Sequence, residues 1–167
     1  MVLINLGYTA PINRPGESPV LTIDQVWAGL QRKVRYAQEF VPLIVGCEVL
    51  SEEKDPAAEE VDVITRRVTF AEKAGPMSGR IVTEVCKLYA PCRVDFVQED
   101  GSKITNCVTR GESGEPGDLY LTYIFEWRHP NVAEGSEEAQ WLEGEHRKTA
   151  GTAVEGSIAT IREMFSK

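Results

Sequence analysis

Residues 61–88 read VDVITRRVTF, AEKAGPMSG and RIVTEVCKL, and this stretch decides the fold. Both arms are rich in β-branched residues, and the glycines and proline between them indicate a turn, so the stretch predicts a β-hairpin. If Gly75 lies at the centre of the turn, Arg66 faces Glu84 on one side of the sheet. The same register places two apolar pairs on that side: Ile64 with Cys86 and Val68 with Val82.

The orientation of Arg66 and Glu84 has two interpretations. A charge buried among hydrophobes is costly unless it is paired, so an inward pair predicts a cavity with a polar anchor. A register slip of one residue would instead turn both side chains towards water. We favour the inward interpretation, in which both residues bind a ligand. This interpretation predicts a ligand-binding site but does not indicate a particular reaction.

The composition limits the class of protein. The chain has 167 residues, 42% of them hydrophobic and 26% charged, which suits one soluble domain over residues 1–167 with a real core. A net charge of −8 and the lack of a basic tract argue against nucleic acid and anionic membranes as partners. No apolar run approaches the roughly 20 residues of a membrane span, and no basic leader opens the chain. We therefore expect a cytoplasmic protein without membrane insertion, and its oligomeric state stays open.

Motifs for metals, cofactors and covalent catalysis are missing from the sequence. The four cysteines are widely spaced without a CxxC pair, and the chain has two histidines. There is no phosphate-binding loop and no nucleophile motif. We therefore expect neither a metal nor a cofactor.

Helix-capping residues and changes in hydrophobic period divide the rest of the chain into helices and strands. A strand is predicted over Leu3–Tyr8, and Thr22 with Gln25 forms a capping box that begins a helix. A second short helical piece is predicted over Ala37–Phe40. From there the hydrophobic period changes to two, which predicts strands at Ile44–Leu50, Val61–Phe70, Arg80–Leu88, Arg93–Gln98, Lys103–Arg110 and Leu119–Trp127.

A long helix ends the chain. Ser136 is a suitable N-cap, and helical periodicity continues to about Phe165. Gly144, Gly151 and Gly156 interrupt this helix, each at a cost of roughly 1 kcal/mol relative to alanine. Either these small residues hold the helix away from the sheet and leave a chamber, or one of them marks a kink.

Together these elements predict an α+β fold. A curved antiparallel sheet of about seven strands wraps around the long C-terminal helix, and a short helix pair follows the first strand. The space between sheet and helix is a natural ligand chamber.

Motifs along nearly the whole chain resemble those of a known family. They are Asn13-x-Pro-Gly, Leu21-Thr22-x-x-Gln25-x-Trp27-x-Gly29-Leu30, Phe40-Val41-Pro42, Cys47-Glu48-Val49-Leu50, Arg66, Glu84, Val94-Asp95-Phe96, Leu121-Thr122-Tyr123 and Ile161-Arg162-Glu163-Met164. In this order they resemble the AtaL-like family, which is named for a protein of the fungal acetylaranotin cluster and belongs to the START-like, or birch-pollen-allergen, helix-grip superfamily. The resemblance implies a hydrophobic pocket between the sheet and the terminal helix.

Several further residues are candidates for this pocket. If Gly101 centres its turn, Asn106 faces Phe96 inside the sheet, where its amide binds either a ligand or the backbone or water. Tyr123 lies in an apolar register, so it either fills the core or lines the cavity. His146 lies on the apolar stripe of the last helix as a proton-transfer group or a structural histidine. The predicted ligand-binding residues are Arg66, Glu84, Asn106, Trp27, Phe96 and Ala153, and the predicted catalytic residues are His146 and Tyr123; His129 is interpreted as a loop residue.

Three functions fit these features. The first is binding of a small hydrophobic molecule in the cavity, in specialised (secondary) metabolite biosynthesis. The second is a cofactor-free cyclase, dehydratase or isomerase that confines a polyketide- or peptide-derived intermediate and assists proton transfer there. The third is a protein-interaction domain with a filled core. A chamber of several hundred Å³ would argue against the third.

Overall fold

One antiparallel sheet of seven strands wraps around the C-terminal helix in the computed structural model, which describes residues 1–166. The strand order is β1-β7-β6-β5-β4-β3-β2, so each strand pairs with its neighbour in the chain except β1, which pairs with β7. This confirms the α+β helix-grip prediction. The elements are β1 (Val2–Pro11), α1 (Ile23–Arg35), a 3₁₀ turn (Ala37–Glu39), β2 (Ile44–Asp55), β3 (Ala58–Phe70), a second 3₁₀ turn (Gly75–Met77), β4 (Ile81–Tyr89), β5 (Arg93–Gln98), β6 (Lys103–Arg110), β7 (Leu119–His129) and α2 (Glu137–Met164).

The β3–β4 hairpin has the register that the sequence predicts. Arg66 is paired with Glu84, with the two expected apolar pairs on either side. The two charged side chains are 4% and 3% exposed, so both point into the interior. The interpretation that turns them towards water is therefore wrong.

The β5–β6 hairpin departs from its predicted register. Phe96 pairs with Ile104, and Asn106 pairs with Val94. The connection is a three-residue loop closed by the Gln98 N–H to Ser102 carbonyl bond, and Gly101 is its last residue, with a φ of 85°. Because the shift is an even number of residues, Asn106 stays on the inner face and is fully buried.

Helix α1 begins at the predicted capping box, in which the Thr22 hydroxyl accepts from the Gln25 N–H and the Gln25 side chain accepts from the Thr22 N–H. Its inner face buries a stripe of uncharged residues and one charged residue, Lys33; the stripe comprises Val26, Trp27, Gly29, Leu30 and Val34. Lys33 follows Leu30 by three positions and Val26 by seven, so helical geometry places it on the same face.

Helix α2 begins at the predicted N-cap, Ser136, and is unbroken to Met164. Its three glycines do not line a chamber, which corrects that expectation. A Cβ on Gly144 would meet open space, one on Gly151 would lie 3.3 Å from the Tyr8 ring, and one on Gly156 would lie 3.7 Å from the Phe40 carbonyl. Within residues 1–166, neither this helix nor any other has the length and apolarity to cross a membrane.

Arg66 connects the sheet to helix α1. Its Nη1 donates to the carbonyls of Lys33 and Val34, both at 2.9 Å, in the last turn of the helix. Those carbonyls have no partner within the helix and lie at the negative end of its dipole, so the guanidinium satisfies them and complements their charge. Glu84 Oε2 accepts from Nε of the same guanidinium at 2.8 Å and lies 2.6 Å from its Nη2 as an ion pair.

Removing this guanidinium should destabilise the whole fold. We expect Arg66→Ala to lower the free energy of unfolding by about 3–5 kcal/mol, because Glu84 is left as an unpaired buried charge. Urea denaturation measures the loss. The control Arg147→Ala breaks the exposed Arg147–Glu143 pair, and we expect it to cost less than about 1 kcal/mol.

A double variant separates the two roles of Arg66. In Arg66→Met with Glu84→Met neither member of the pair is left behind as an unpaired charge, but the two α1 carbonyls still lack the guanidinium as donor, so only part of the stability should return. An unfolding curve for Arg66→Ala that overlays the wild-type curve would contradict both roles.

Candidate functional site

A cavity lies between the inner face of the sheet, α2, and the segment that joins α1 to β2. The space between its walls is about 810 Å³ with the open mouth included, and the centre of a water molecule can reach about 90 Å³ of it. Partly exposed apolar side chains mark the mouth, among them Leu43, Phe70 and Met77. The remaining wall residues are buried or partly buried; those that bear on the chemistry are Lys33, Arg66, Glu84, Phe96, Gln98, Tyr123, Phe125, Trp127, His146, Thr149 and Ala153.

The predicted pair Arg66 and Glu84 lies at the inner end of this cavity, as part of a larger cluster. Glu84 Oε1 accepts from Gln98 Nε2 at 3.2 Å, while its Oε2 is taken by Arg66. Both oxygens of the Glu84 carboxylate therefore already accept a hydrogen bond from the protein. Sequence reasoning missed Gln98, although it ends β5 in the same inward register as Phe96.

Lys33 is the main residue that sequence reasoning missed. It is 6% exposed, its Nζ donates to Asn106 Oδ1 at 2.7 Å, and the Nζ atom lies 4.1 Å from the centroid of the Tyr123 ring. Burial, and then the positive charge of Arg66, lower the pKa of the Lys33 amine from 10.5 to about 7. Its place on the apolar stripe of α1 is the signal that could have revealed it.

Asn106 lies behind the cavity wall and holds Lys33 in place. Its side-chain oxygen accepts from the lysine, and its Nδ2 is buried without a hydrogen-bond partner among the described residues. Its neighbours across the sheet are Val94 and Tyr123, not Phe96 as predicted. In this structure Asn106 positions the amine, and direct contact with a ligand remains a prediction.

Tyr123 lines the cavity with its ring, but its hydroxyl points to α2. The hydroxyl donates to Ser157 Oγ at 2.7 Å, and Ser157 in turn donates to the Ala153 carbonyl at 2.7 Å. Burial raises the pKa of Tyr123, so the phenol stays neutral. Its proton is therefore directed away from the cavity, and a catalytic role remains a prediction.

His146 lies against the cavity in a stack of rings. Its ring is 3.7 Å from the centroid of Trp127, and its Nε2 is 2.9 Å from Nε2 of His129. Burial, and then the neighbouring His129, lower the pKa of His146 to about 4, so its imidazole is neutral at pH 7. His129 is the last residue of β7 rather than a loop residue, which corrects its interpretation.

The other predicted ligand-binding residues divide between cavity and core. Phe96 and Ala153 belong to the cavity wall. Trp27 does not: it is 8% exposed and packs in the main hydrophobic core, and contact of its indole with a ligand remains a prediction. The indole lies on the same apolar stripe as Val26 and Leu30, and core packing explains its position.

Residues that could hold a metal ion do not cluster in the described part of the chain. Between residues 1 and 166, no group of three or more His, Cys, Asp or Glu side chains has the geometry for a metal ion. The cavity wall offers an amine, a guanidinium, a carboxylate and an amide at its inner end, with aromatic faces beside them. Such a wall can bind a polar group at one end and an apolar body along the rest.

The sheet, the terminal helix and the cavity between them form a helix-grip fold, the fold of START-like proteins. The family model described as acetylaranotin biosynthesis cluster protein L (AtaL) matches residues 6–167, and the chain belongs to the AtaL family. Acetylaranotin biosynthesis cluster protein L of Aspergillus terreus is 28% identical to it over 158 residues, which are 95% of this chain and 87% of that protein.

Solved structures share the fold at low sequence identity. The di-domain ARO/CYC StfQ from the steffimycin biosynthetic pathway superposes with a TM-score of 0.65 at 11% identity, over 97% of this chain and 52% of StfQ. The Zhui aromatase/cyclase from a Streptomyces species gives 0.57 at 15% identity, over 99% and 98% of the two chains. A START superfamily protein from Mycobacterium smegmatis gives 0.56 at 11% identity, over 95% and 98%. The chain thus spans about half the length of the di-domain protein.

The buried amine gives the site a pH-dependent stability. The pKa of Lys33 is about 7 in the folded protein and 10.5 in the unfolded chain. At pH values between these two, the unfolded state therefore binds more protons at Lys33 than the native state. The free energy of unfolding should therefore rise as the pH increases above about 7. We expect Lys33→Met to flatten this rise, and to be more stable than wild type below pH 7, where the native protein must bury a charge.

Urea denaturation between about pH 7 and about pH 8.5 measures this slope, since unperturbed carboxylates and imidazoles titrate below that window. Lys148→Met, on the exposed side of α2, is the matched control and should keep the wild-type slope. Equal slopes for Lys33→Met and wild type would show that Lys33 keeps an ordinary pKa in the folded protein.

Proposed function

We propose that this protein binds a small, largely apolar molecule in the cavity between the sheet and α2. One observation carries the proposal: the buried groups Lys33, Arg66 and Glu84 lie at the inner end of a cavity whose wall is mainly apolar. Ligand pockets combine apolar walls with a few convergent polar groups in this way. A core that only needed packing would be more stable with hydrophobic residues at these positions.

The relatives support a role in specialised metabolism. The curated relative carries the name of a biosynthesis cluster protein, and two of the structural neighbours are described as an ARO/CYC and an aromatase/cyclase. A helix-grip cavity in this family suits an intermediate of such a pathway. A cytoplasmic location and the lack of nucleic-acid partners remain predictions.

The cavity also bears on the predicted alternatives. The protein-interaction hypothesis requires a filled core, and the water-accessible space of about 90 Å³ is smaller than the several hundred Å³ that would argue against it, so this hypothesis remains a prediction. The enzyme hypothesis is favoured by one observation: His146 lies on the cavity wall beside its hydrogen-bonded partner His129. Because a pKa of about 4 makes the imidazole a weak base, we place cofactor-free cyclase, dehydratase or isomerase activity second.

Filling the cavity should abolish binding of an apolar reporter. We expect Ala153→Leu to block the fluorescence gain of N-phenyl-naphthylamine, an uncharged dye, because the larger side chain enters the cavity from α2. Thr152→Leu is the matched control: it adds a leucine to the exposed side of the same helix and should bind like wild type. Dye titrations with each folded variant measure the difference.

Two outcomes would contradict the binding proposal. Wild-type protein that gave no fluorescence gain would exclude an accessible apolar cavity. Unchanged dye affinity in Ala153→Leu would place the binding site elsewhere on the molecule. Circular dichroism of both variants confirms that the comparison is made between folded proteins.

The enzyme hypothesis makes its own prediction. If His146 transfers protons, the protein should catalyse exchange of the α-protons of an enolisable aromatic ketone in D₂O, measured by NMR. His146→Ala should then slow exchange by about 10²–10⁴, the usual contribution of a general acid or base, and leave dye affinity unchanged. Exchange at the wild-type rate in His146→Ala would eliminate the residue as the proton-transfer group.

A further inference from the structure

The charged side chains on the cavity wall do not balance. Two cations, Lys33 and Arg66, and one carboxylate, Glu84, lie among the described residues of the wall, all of them buried. The remaining titratable groups of the wall, Tyr123 and His146, are neutral at pH 7. With its amine protonated, the inner end of the cavity therefore carries one uncompensated positive charge.

The hydrogen bonds assign this excess charge to Lys33. The Arg66 guanidinium is already engaged: its Nε and Nη1 donate to Glu84 and to the two carbonyls of α1, and its Nη2 lies 2.6 Å from Glu84 Oε2 as an ion pair. Glu84 in turn is shared between Arg66 and Gln98. Lys33 has Asn106 Oδ1 as its hydrogen-bond partner among the described residues, which leaves two of its three donors without a protein acceptor.

The rings around Lys33 stabilise its cation without accepting those two donors. The Nζ atom lies 4.1 Å from the centroid of Tyr123 and 5.3 Å from that of Phe96. Such contacts favour a positive charge at this position. They do not replace hydrogen bonds to an anionic oxygen, which are the stronger interactions of an ammonium group.

We propose that the ligand of this cavity carries an acidic oxygen group, a carboxylate or an acidic phenol or enol, which pairs as its anion with Lys33 at the inner end. The apolar body of the ligand then extends along Phe125 and Ile44 to the mouth near Met77. This inference rests on the proposed binding function and names the class of molecule bound. It also explains why a lysine occupies a position at which, below about pH 7, methionine should make the empty protein more stable.

Binding of such an anion is coupled to protonation of the amine. The titratable and charged groups that face Lys33 are Arg66 on β3, Glu84 and Cys86 on β4, and Tyr123 on β7. Glu84 stays paired with Arg66, and burial raises the pKa of Cys86 to about 12 and also raises that of Tyr123. Lys33 is thus the member of this group that changes charge near pH 7, and an anion should bind less tightly as the pH rises above it.

The test compares three naphthalene probes that share one apolar body: 2-naphthoate, its methyl ester and 2-naphthol. At about pH 6.5 we expect 2-naphthoate to bind the wild-type protein about ten- to hundredfold more tightly than the ester, which is the usual worth of hydrogen bonds to a charged group. Displacement of the uncharged dye gives each dissociation constant. The affinity for naphthoate should fall towards pH 8.5, and that for the ester should not change.

Lys33→Met should remove the preference for naphthoate and keep the affinity for the ester. Lys33→Gln, which keeps a polar group without charge, should lose the same preference, and Lys148→Met should behave as wild type. Binding of 2-naphthol tests whether the site accepts acidic phenols or enols in addition to carboxylates. A shift of its absorption to the naphtholate band on binding assigns acidic phenols or enols to the site as well, and no shift restricts the site to carboxylates.

Two results would overturn the inference while leaving the binding function intact. In the first, the ester binds the wild type as tightly as naphthoate does. In the second, naphthoate keeps its advantage in both Lys33 variants. Failure of every probe and of the uncharged dye to bind would instead overturn the proposed function, and this inference with it.

Discussion

The guanidinium of Arg66 is the contact on which the rest of the structure depends. It joins three parts of the chain: its own strand β3, Glu84 on β4, and the last turn of α1 through the carbonyls of Lys33 and Val34. A helix end buried against a sheet needs donors for its final carbonyls, and here the sheet supplies them. The contacts of this one guanidinium with α1 and with Glu84 hold the end of α1 against the sheet. Lys33, in the same helix, is part of the cavity wall.

Local signals in the sequence predicted most of the fold. Capping residues predicted the starts of α1 and α2, and alternation of β-branched residues predicted the inner strands to within a few residues. The edge strand β2 was harder, because it continues through exposed polar residues such as Glu52 and Glu53 as far as Asp55. At an edge with little burial, hydrophobic alternation carries no information about where pairing stops.

The candidate site was predicted in part, and the gaps have physical causes. Arg66 and Glu84 were visible because two charges interrupt apolar strands that face each other. Lys33 was hidden, since a long side chain at the margin of a helical stripe usually extends to water. Its burial depends on Asn106, 73 positions away, and no local pattern reports such a distant contact. The position of His146 on the helix could be predicted, but its lowered pKa comes from burial and from the neighbouring His129, and only the folded chain provides either.

The bond from Arg66 to the carbonyl of Lys33 has a consequence for recognition at the cavity. It fixes the backbone from which the amine projects, while Asn106 fixes the end of the side chain. A lysine that is free in solution loses up to about 2 kcal/mol of rotamer entropy when it is immobilised. In this protein that loss occurs when the chain folds, so the amine is preorganised, and its ordering subtracts nothing from the affinity of whatever the cavity receives.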